Sequence, residues 1–204
     1  MSYFRAHAHL IAQMVQKDVL RYTADNLASL LVVFAFPAKT GDHHYLAARL
    51  IGDLAESISR TDLNNAWFEV KGILRDSSPA FESLSLPAMS ISVSTITSLP
   101  PARKSVFLCD VIGRLTHDPE HVIKNENFEF CRFSVAVNPS QSEKAHYFSV
   151  SVFKSKLIQE VNHQLKKGNE VFISGEVTFY EKAIDHKVFA AIKLEQFVQF
   201  SPST

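Results

Sequence analysis

The chain has 204 residues, 46% of them hydrophobic, with 21 basic and 21 acidic side chains. That is enough apolar material for one good core or two small ones. With 8 basic and 9 acidic residues up to position 100 and 13 and 12 after it, neither half carries the positive excess that would announce a polyanion ligand by charge alone.

Cys109 and Cys131 both sit in apolar, strand-like runs, which reads as two buried free thiols in a reducing compartment. No cationic leader followed by an apolar stretch opens the sequence, and the longest apolar run, Leu30 to Pro37, is too short to cross a bilayer. The expectation is a cytoplasmic protein with no membrane partner.

Taken in chain order, residues 6–22 and 27–37 read as strands. The second is almost wholly apolar in Leu30-Leu31-Val32-Val33-Phe34-Ala35-Phe36, so it is expected to be covered on both faces, by the core on one side and by another domain or subunit on the other. A strand from Tyr45 to Gly52 alternates Leu46, Ala48 and Leu50 inward with Tyr45, Ala47, Arg49 and Ile51 outward. A helix from about Asp53 to Thr61 follows. The strand Ala66–Arg75 then turns Phe68, Val70, Gly72 and Leu74 inward and Trp67, Glu69, Lys71, Ile73 and Arg75 outward. An outward tryptophan among cations is what single-strand binding asks for; a barrel-end cover beside a solvated strand face would look the same. A loop over 76–82 and a β-branched strand from Leu84 to Ile96 complete this half.

Ser98-Leu99-Pro100-Pro101-Ala102-Arg103-Lys104 reads as a stiff linker, placing domains at 1–98 and 105–204 with 99–104 between them. Beyond it come Val111-Ile112-Gly113-Arg114-Leu115-Thr116-His117-Asp118-Pro119-Glu120, then the strand Phe133-Ser134-Val135-Ala136-Val137-Asn138, a polar loop over 138–145, and the strand His146–Phe153. In that last strand Phe148, Val150 and Val152 face one way, while Tyr147, Ser149, Ser151 and Phe153 face the other. Leu157, Ile158, Val161 and Leu165 have helical spacing, Lys166 and Lys167 suit a last helical turn, and Gly168 supplies the stop. The strand Glu170–Tyr180 puts Val171, Ile173, Gly175 and Val177 inside and Phe172, Ser174, Glu176, Thr178 and Tyr180 outside; a final strand spans 187–199.

These motifs, in this order over about residues 105–200, resemble the bacterial single-stranded-DNA-binding protein family. The Gly-Arg…Asp-Pro-Glu stretch is similar to the family's first-strand motif, and strand, short helix, Lys-Lys-Gly turn and Gly-containing strand are similar to its core. The resemblance implies an OB fold. It matches Tyr147 and Phe153 to the aromatics that open and close the family's third strand. The tryptophan expected near the end of the fourth strand falls on Lys182, with Phe179 and Tyr180 close by. The tryptophan of the loop after the second strand and the long acidic, Phe-terminated tail have no counterpart in the sequence.

Sliding the chain along itself reveals a repeat: Asp18 meets Asp118, Pro37 meets Pro139, His44-Tyr45 meets His146-Tyr147, and Gly72 meets Gly175, at offsets of 100, 102, 102 and 103. The first half also carries Val15-Gln16-Lys17-Asp18-Val19-Leu20-Arg21-Tyr22-Thr23, similar to the family's first turn without its proline. The fold expected is therefore all-β with short helices, in two tandem five-stranded OB-fold barrels.

His7-Ala8-His9 and Asp42-His43-His44 lack the converging third and fourth ligands of a zinc site, and no phosphate loop, nucleophile elbow or paired-carboxylate motif is visible. No metal, cofactor or enzymatic activity is expected. The leading reading is single-stranded DNA binding, with the replication and repair roles that the resemblance implies. Tyr147, Phe153, Tyr180, Tyr45 and Trp67 would stack bases, while Arg132, Lys182, Arg49, Lys71 and Arg75 neutralise phosphates. Family members with one barrel form tetramers, which implies a homodimer here. The rival readings are a protein-interaction module built on the same fold and single-stranded RNA binding.

Overall fold

The computed structural model describes residues 5–38, 41–64, 66–77, 84–101, 104–125, 128–138, 144–181 and 187–200. Two compact units emerge, one comprising His7–Phe107 with Phe179–Ala190, the other Met1–Ala6, Leu108–Thr178 and Ala191–Thr204. Among the described residues no helix is long and apolar enough to cross a membrane.

The first barrel is built from β1 (Arg5–Lys17), β2 (Arg21–Tyr22), β3 (Ala28–Pro37), β4 (His43–Ile51), the helix α1 (Asp53–Ser59), β5 (Trp67–Arg75) and β6 (Ser90–Leu99). Its strands run in the order β2-β3-β4-β6-β5-β1, and a further β3–β1 pairing closes the sheet on itself. Closure needs one strand to serve two neighbours. β1 does so by pairing with β5 over His7–Gln13 and with β3 from Gln13 to Lys17, its register shifting between Met14 and Gln16; an extra residue of this kind bends a strand. Alternation sets the core, with Leu10, Ala12, Met14, Leu30, Val32, Phe34, Leu46, Leu50, Phe68, Val70 and Leu74 all buried.

The second barrel repeats this plan with β7 (Val106–Leu115), β8 (Glu120–Asn125), β9 (Phe128–Val137), β10 (His146–Val152), the helix α2 (Ser155–Gln164), β11 (Glu170–Glu181) and β12 (Val188–Gln199). The order is β7-β11-β12-β10-β9-β8 with closure by β7–β9. In both barrels the strand before the helix runs parallel to the last strand, Ala48 opposite Ile91 in one and Val150 opposite Ile192 in the other. The two inner glycines of the repeat are equivalent in detail. A Cβ on Gly72 would lie 2.2 Å from the Ser92 carbonyl oxygen and 2.8 Å from Ile91 Cγ2, and one on Gly175 2.2 Å from the Lys193 carbonyl oxygen and 3.0 Å from Ile192 Cγ2. Two five-stranded OB barrels, each with one short extra strand (β2 or β8), are thus the fold.

Most sequence-based boundaries lie within a few residues of the observed ones, but three features differ. The first expected strand is two, because the ladder is interrupted at Asp18–Leu20 before β2 resumes pairing along β3. The last strand of the first barrel starts at Ser90 rather than Leu84. Lys166 and Lys167 lie past the end of α2, since the buried Leu165 is already extended (ψ 137°). Their backbone N–H groups instead donate to Asn169 Oδ1 and Asp118 Oδ1, both at 2.7 Å, and Gly168 at φ 87° makes the turn. On β3, Val32–Phe36 are buried on both faces by this chain alone, without a second subunit.

Candidate nucleic-acid interface

In the second barrel, β9 and β10 pair in a register that sets Tyr147 against Ala136, Ser149 against Ser134 and Ser151 against Arg132. These residues form the outer face, because their neighbours Phe148, Val150, Val152, Cys131 and Phe133 fill the core. Tyr147 is 59% exposed and Phe153 43%. Six residues of strand, roughly 20 Å, separate them. Phe153 closes one end of the face with two further rings from β9, its centroid 6.4 Å from Phe128 and 6.0 Å from Phe130, and Lys124 Nζ stands 5.9 and 5.8 Å from those two centroids. The result is an aromatic wall with a cation against it.

Between the aromatic ends lies a charged middle. Arg132 donates from Nε and Nη2 to the two carboxylate oxygens of Glu120, at 2.7 and 3.0 Å. That guanidinium holds the Glu120 carboxyl below the usual carboxylate range. Across β10, Lys193 lies opposite Ser151. Its Nζ is 3.7 Å from Glu195, which also pairs with Lys154, and hydrogen bonding to Lys154 lowers the Glu195 pKa. These pairs are solvent-exposed, and exposed pairs are weak, so a phosphate can compete for the cations at small cost.

In the first barrel the expected residues fall into two groups on the outer face. Arg49 on β4 sits opposite Ser92 on β6, and Arg75 on β5 donates from Nε to Ser92 Oγ at 3.4 Å, so both arginines flank one serine. Tyr45 lies two residues before Ala47, whose β6 partner Ser90 pairs in turn with Arg75. Trp67 is at the far end of β5, half-buried between Gln13 and Leu99, eight residues or about 27 Å from Arg75. Lys71, midway, lies 3.1 Å from Glu69, and that carboxyl also sits 2.8 Å from His9 Nε2. Hydrogen bonds from Lys71 and then His9 push the Glu69 pKa down. Tyr180 stacks on Phe189, centroids 5.5 Å apart and planes at 17°, in the compact unit that holds the first barrel, not the one that holds Tyr147 and Phe153. Lys182 lies outside the described residues.

Phe128, Phe130, Lys124 and Lys193 were not among the residues expected from sequence. The signal for the first two was present in Phe128-Glu129-Phe130-Cys131-Arg132, where alternation places both rings on the side of Arg132. Among the described residues no group of three His, Cys, Asp or Glu side chains could hold a metal. Burial raises the thiol pKa of Cys109 to about 12 and of Cys131 to about 11, which makes both inert near neutral pH.

Residues 105–192 match the model of the single-strand binding protein family. That part of the chain is similar to this family. The family is non-enzymatic. Over its whole length the chain has the fold of the wild-type single-stranded DNA binding protein from Thermus aquaticus, with a TM-score of 0.74 at 20% identity over 100% of this chain and 96% of that one. A deletion variant of the same Thermus aquaticus protein gives the same score and identity over 100% of both chains. No curated protein matches the sequence.

Proposed function

We propose that the protein binds single-stranded DNA on the outer face of β8, β9, β10 and β12, with bases stacked on Tyr147 and Phe153 and the backbone held by Arg132. The observation that carries this is the exposure of those two rings on the outer face of one strand, flanked by Arg132, Lys154 and Lys193, within the segment that matches the model of the single-strand binding protein family. Rings on a polar strand face have no core to fill, and base stacking on such rings is worth roughly 1–3 kcal/mol each. Phe128 and Phe130 extend the platform. The balanced net charge is no obstacle, since the cations are placed locally and their acidic partners are exposed.

The duplicate domains, residues 1–98 and 105–204, both take part in this reading. Tyr45, Arg49, Lys71, Arg75 and Trp67 present strand-binding chemistry on the first barrel, Tyr180 does so near the end of β11, and Lys182 follows it in sequence. A homodimer would present four barrels to a strand, and the process served is DNA replication or repair in the cytoplasm. The test is fluorescence anisotropy of a labelled oligothymidine, with a matched duplex and an oligouridine as competitors, at low and moderate salt. The expected result is saturable binding to the single strand that weakens linearly in log salt, with the duplex ineffective. Absence of binding at low salt overturns the proposal and favours a protein-interaction module; preference for oligouridine reassigns the face to RNA.

A further inference from the structure

The duplication allows the two barrels to be compared position by position, and the comparison exposes a second site. Strand pairing makes Leu31 and Arg49 the counterparts of Arg132 and Ser151, and Ser29 and Arg21 the counterparts of Phe130 and Val122. Where the second barrel has the rings of Phe128, Phe130 and Phe153, the first therefore has Leu27, Ser29 and Ile51, and the surface is hollowed into a cleft of about 370 Å³ lined by Asp18, Val19, Arg21, Tyr22, Leu31 and Arg49 with two hydroxyl residues. That volume is at the low end of the range for small-ligand sites.

The cation at this level has moved from β9 to the neighbouring strand, and its surroundings have changed. Arg132 is clamped by Glu120, whereas Arg49 is exposed and has no hydrogen-bond or ion-pair partner among the described residues. Arg21 pairs with Asp18 at 3.3 Å, and the same carboxylate accepts the Val19 N–H at 2.8 Å. The carboxylate is thereby neutralised, leaving Arg49 as the uncompensated charge. Tyr22 is 57% exposed on the rim, and Leu31 supplies an apolar floor. A cation, an exposed ring, an apolar floor and the Thr23 and Ser29 hydroxyls match the parts of one nucleotide: phosphate, base and sugar.

We propose that this cleft of the first barrel holds one nucleotide of the bound strand, its phosphate on Arg49 and its base on Tyr22. This rests on the strand-binding reading above and adds a contact outside the aromatic positions that the family resemblance assigns. The two barrels then use one face in two ways, the second through a stacking wall and the first through an arginine cleft.

The test uses the full chain, an oligothymidine long enough to span both barrels, and the variants Arg49→Gln and Tyr22→Ala, each checked for an unchanged thermal transition. Arg49→Gln should flatten the plot of log affinity against log salt by about 0.7, the contribution of one phosphate on a single strand. Tyr22→Ala should weaken binding by roughly 5- to 150-fold and leave that slope unchanged. Photocrosslinking with 5-iododeoxyuridine in the oligonucleotide should label the peptide that contains Tyr22. Wild-type binding with both variants within twofold, the slope unaltered and crosslinks confined to residues 128–153 overturns the cleft and leaves the second-barrel face standing. A wild-type chain that binds no oligothymidine overturns both.

Discussion

Gly175→Ala should destabilise the protein, and the size of the effect can be worked from the strand spacing. The added Cβ would sit 2.2 Å from the Lys193 carbonyl oxygen and 3.0 Å from that same carbonyl carbon. Both contacts are with backbone, which cannot rotate away, so β11 and β12 must separate by about 1 Å from their usual spacing of about 4.8 Å. Alanine gains roughly 0.4–1 kcal/mol by restricting the unfolded chain. Overpacking of this kind costs about 1–3 kcal/mol, and a forced backbone shift belongs at the upper end. The net loss is about 2 kcal/mol, or roughly 4–8 °C in Tm for a chain of this size. Gly72→Ala should behave alike, because its Cβ would meet the Ser92 carbonyl oxygen at the same 2.2 Å. Differential scanning calorimetry with urea titration measures both variants. Variants as stable as the parent would refute the close strand approach and the structural equivalence of the two halves.

Three further outcomes follow from individual residues. Glu120→Gln removes the carboxylate that clamps Arg132 and should tighten oligothymidine binding several-fold, a gain that Arg132→Ala abolishes; anisotropy on the double-mutant cycle checks this. Cys109 and Cys131, with pKa values pushed by burial up to about 12 and about 11, should resist a disulfide reagent at pH 8 until denaturant is added. Because folded-state pKa values lie above the unfolded value, the thiols' contribution is intact below about pH 9 and is lost as pH rises through the folded values, costing about 1.4 kcal/mol per pH unit per thiol, as urea titrations at pH 8 to 10.5 would show. A strand that crosses the outer face of β5 should quench Trp67, the chain's one tryptophan, while binding without quenching confines the strand to other faces.

How much of this was legible beforehand depends on which residues had local signals. Alternation in His146–Phe153 settles which side chains face out, because Phe148, Val150 and Val152 leave no other core face. The repeat was visible through His44-Tyr45 and His146-Tyr147, and Gly72 with Gly175 gave a physical reason for it once each was seen beneath a neighbouring strand. The aromatic wall was harder to see. Alternation puts Phe128 and Phe130 on the side of Arg132 and Phe133 on the other, but that the outward pair meets Phe153 is a property of packing between β9 and the end of β10. The Arg132–Glu120 clamp depends on the β8–β9 register, which joins residues twelve apart in sequence and which no local pattern specifies. Tyr180 illustrates the same limit: its strand parity was plain, but its stacking on Phe189 and its place in the unit that holds the first barrel depend on how far β11 and β12 extend as a hairpin. In sequence Arg49 is one of several cations on a strand face; that it stands in a cleft without a partner among the described residues is a property of packing.

The central claim is that the outer face of β9 and β10 holds a single strand through its exposed rings. The most direct measurement is the affinity of the Tyr147→Ala, Phe153→Ala double variant for oligothymidine, taken with its melting curve. Both rings are more than two-fifths exposed, so the variant should fold cooperatively with Tm lowered by only a few degrees. The account predicts a loss of at least about 30-fold in affinity, from two stacking contacts of 1–3 kcal/mol each, with the salt slope preserved. Parental affinity in a folded double variant would contradict it.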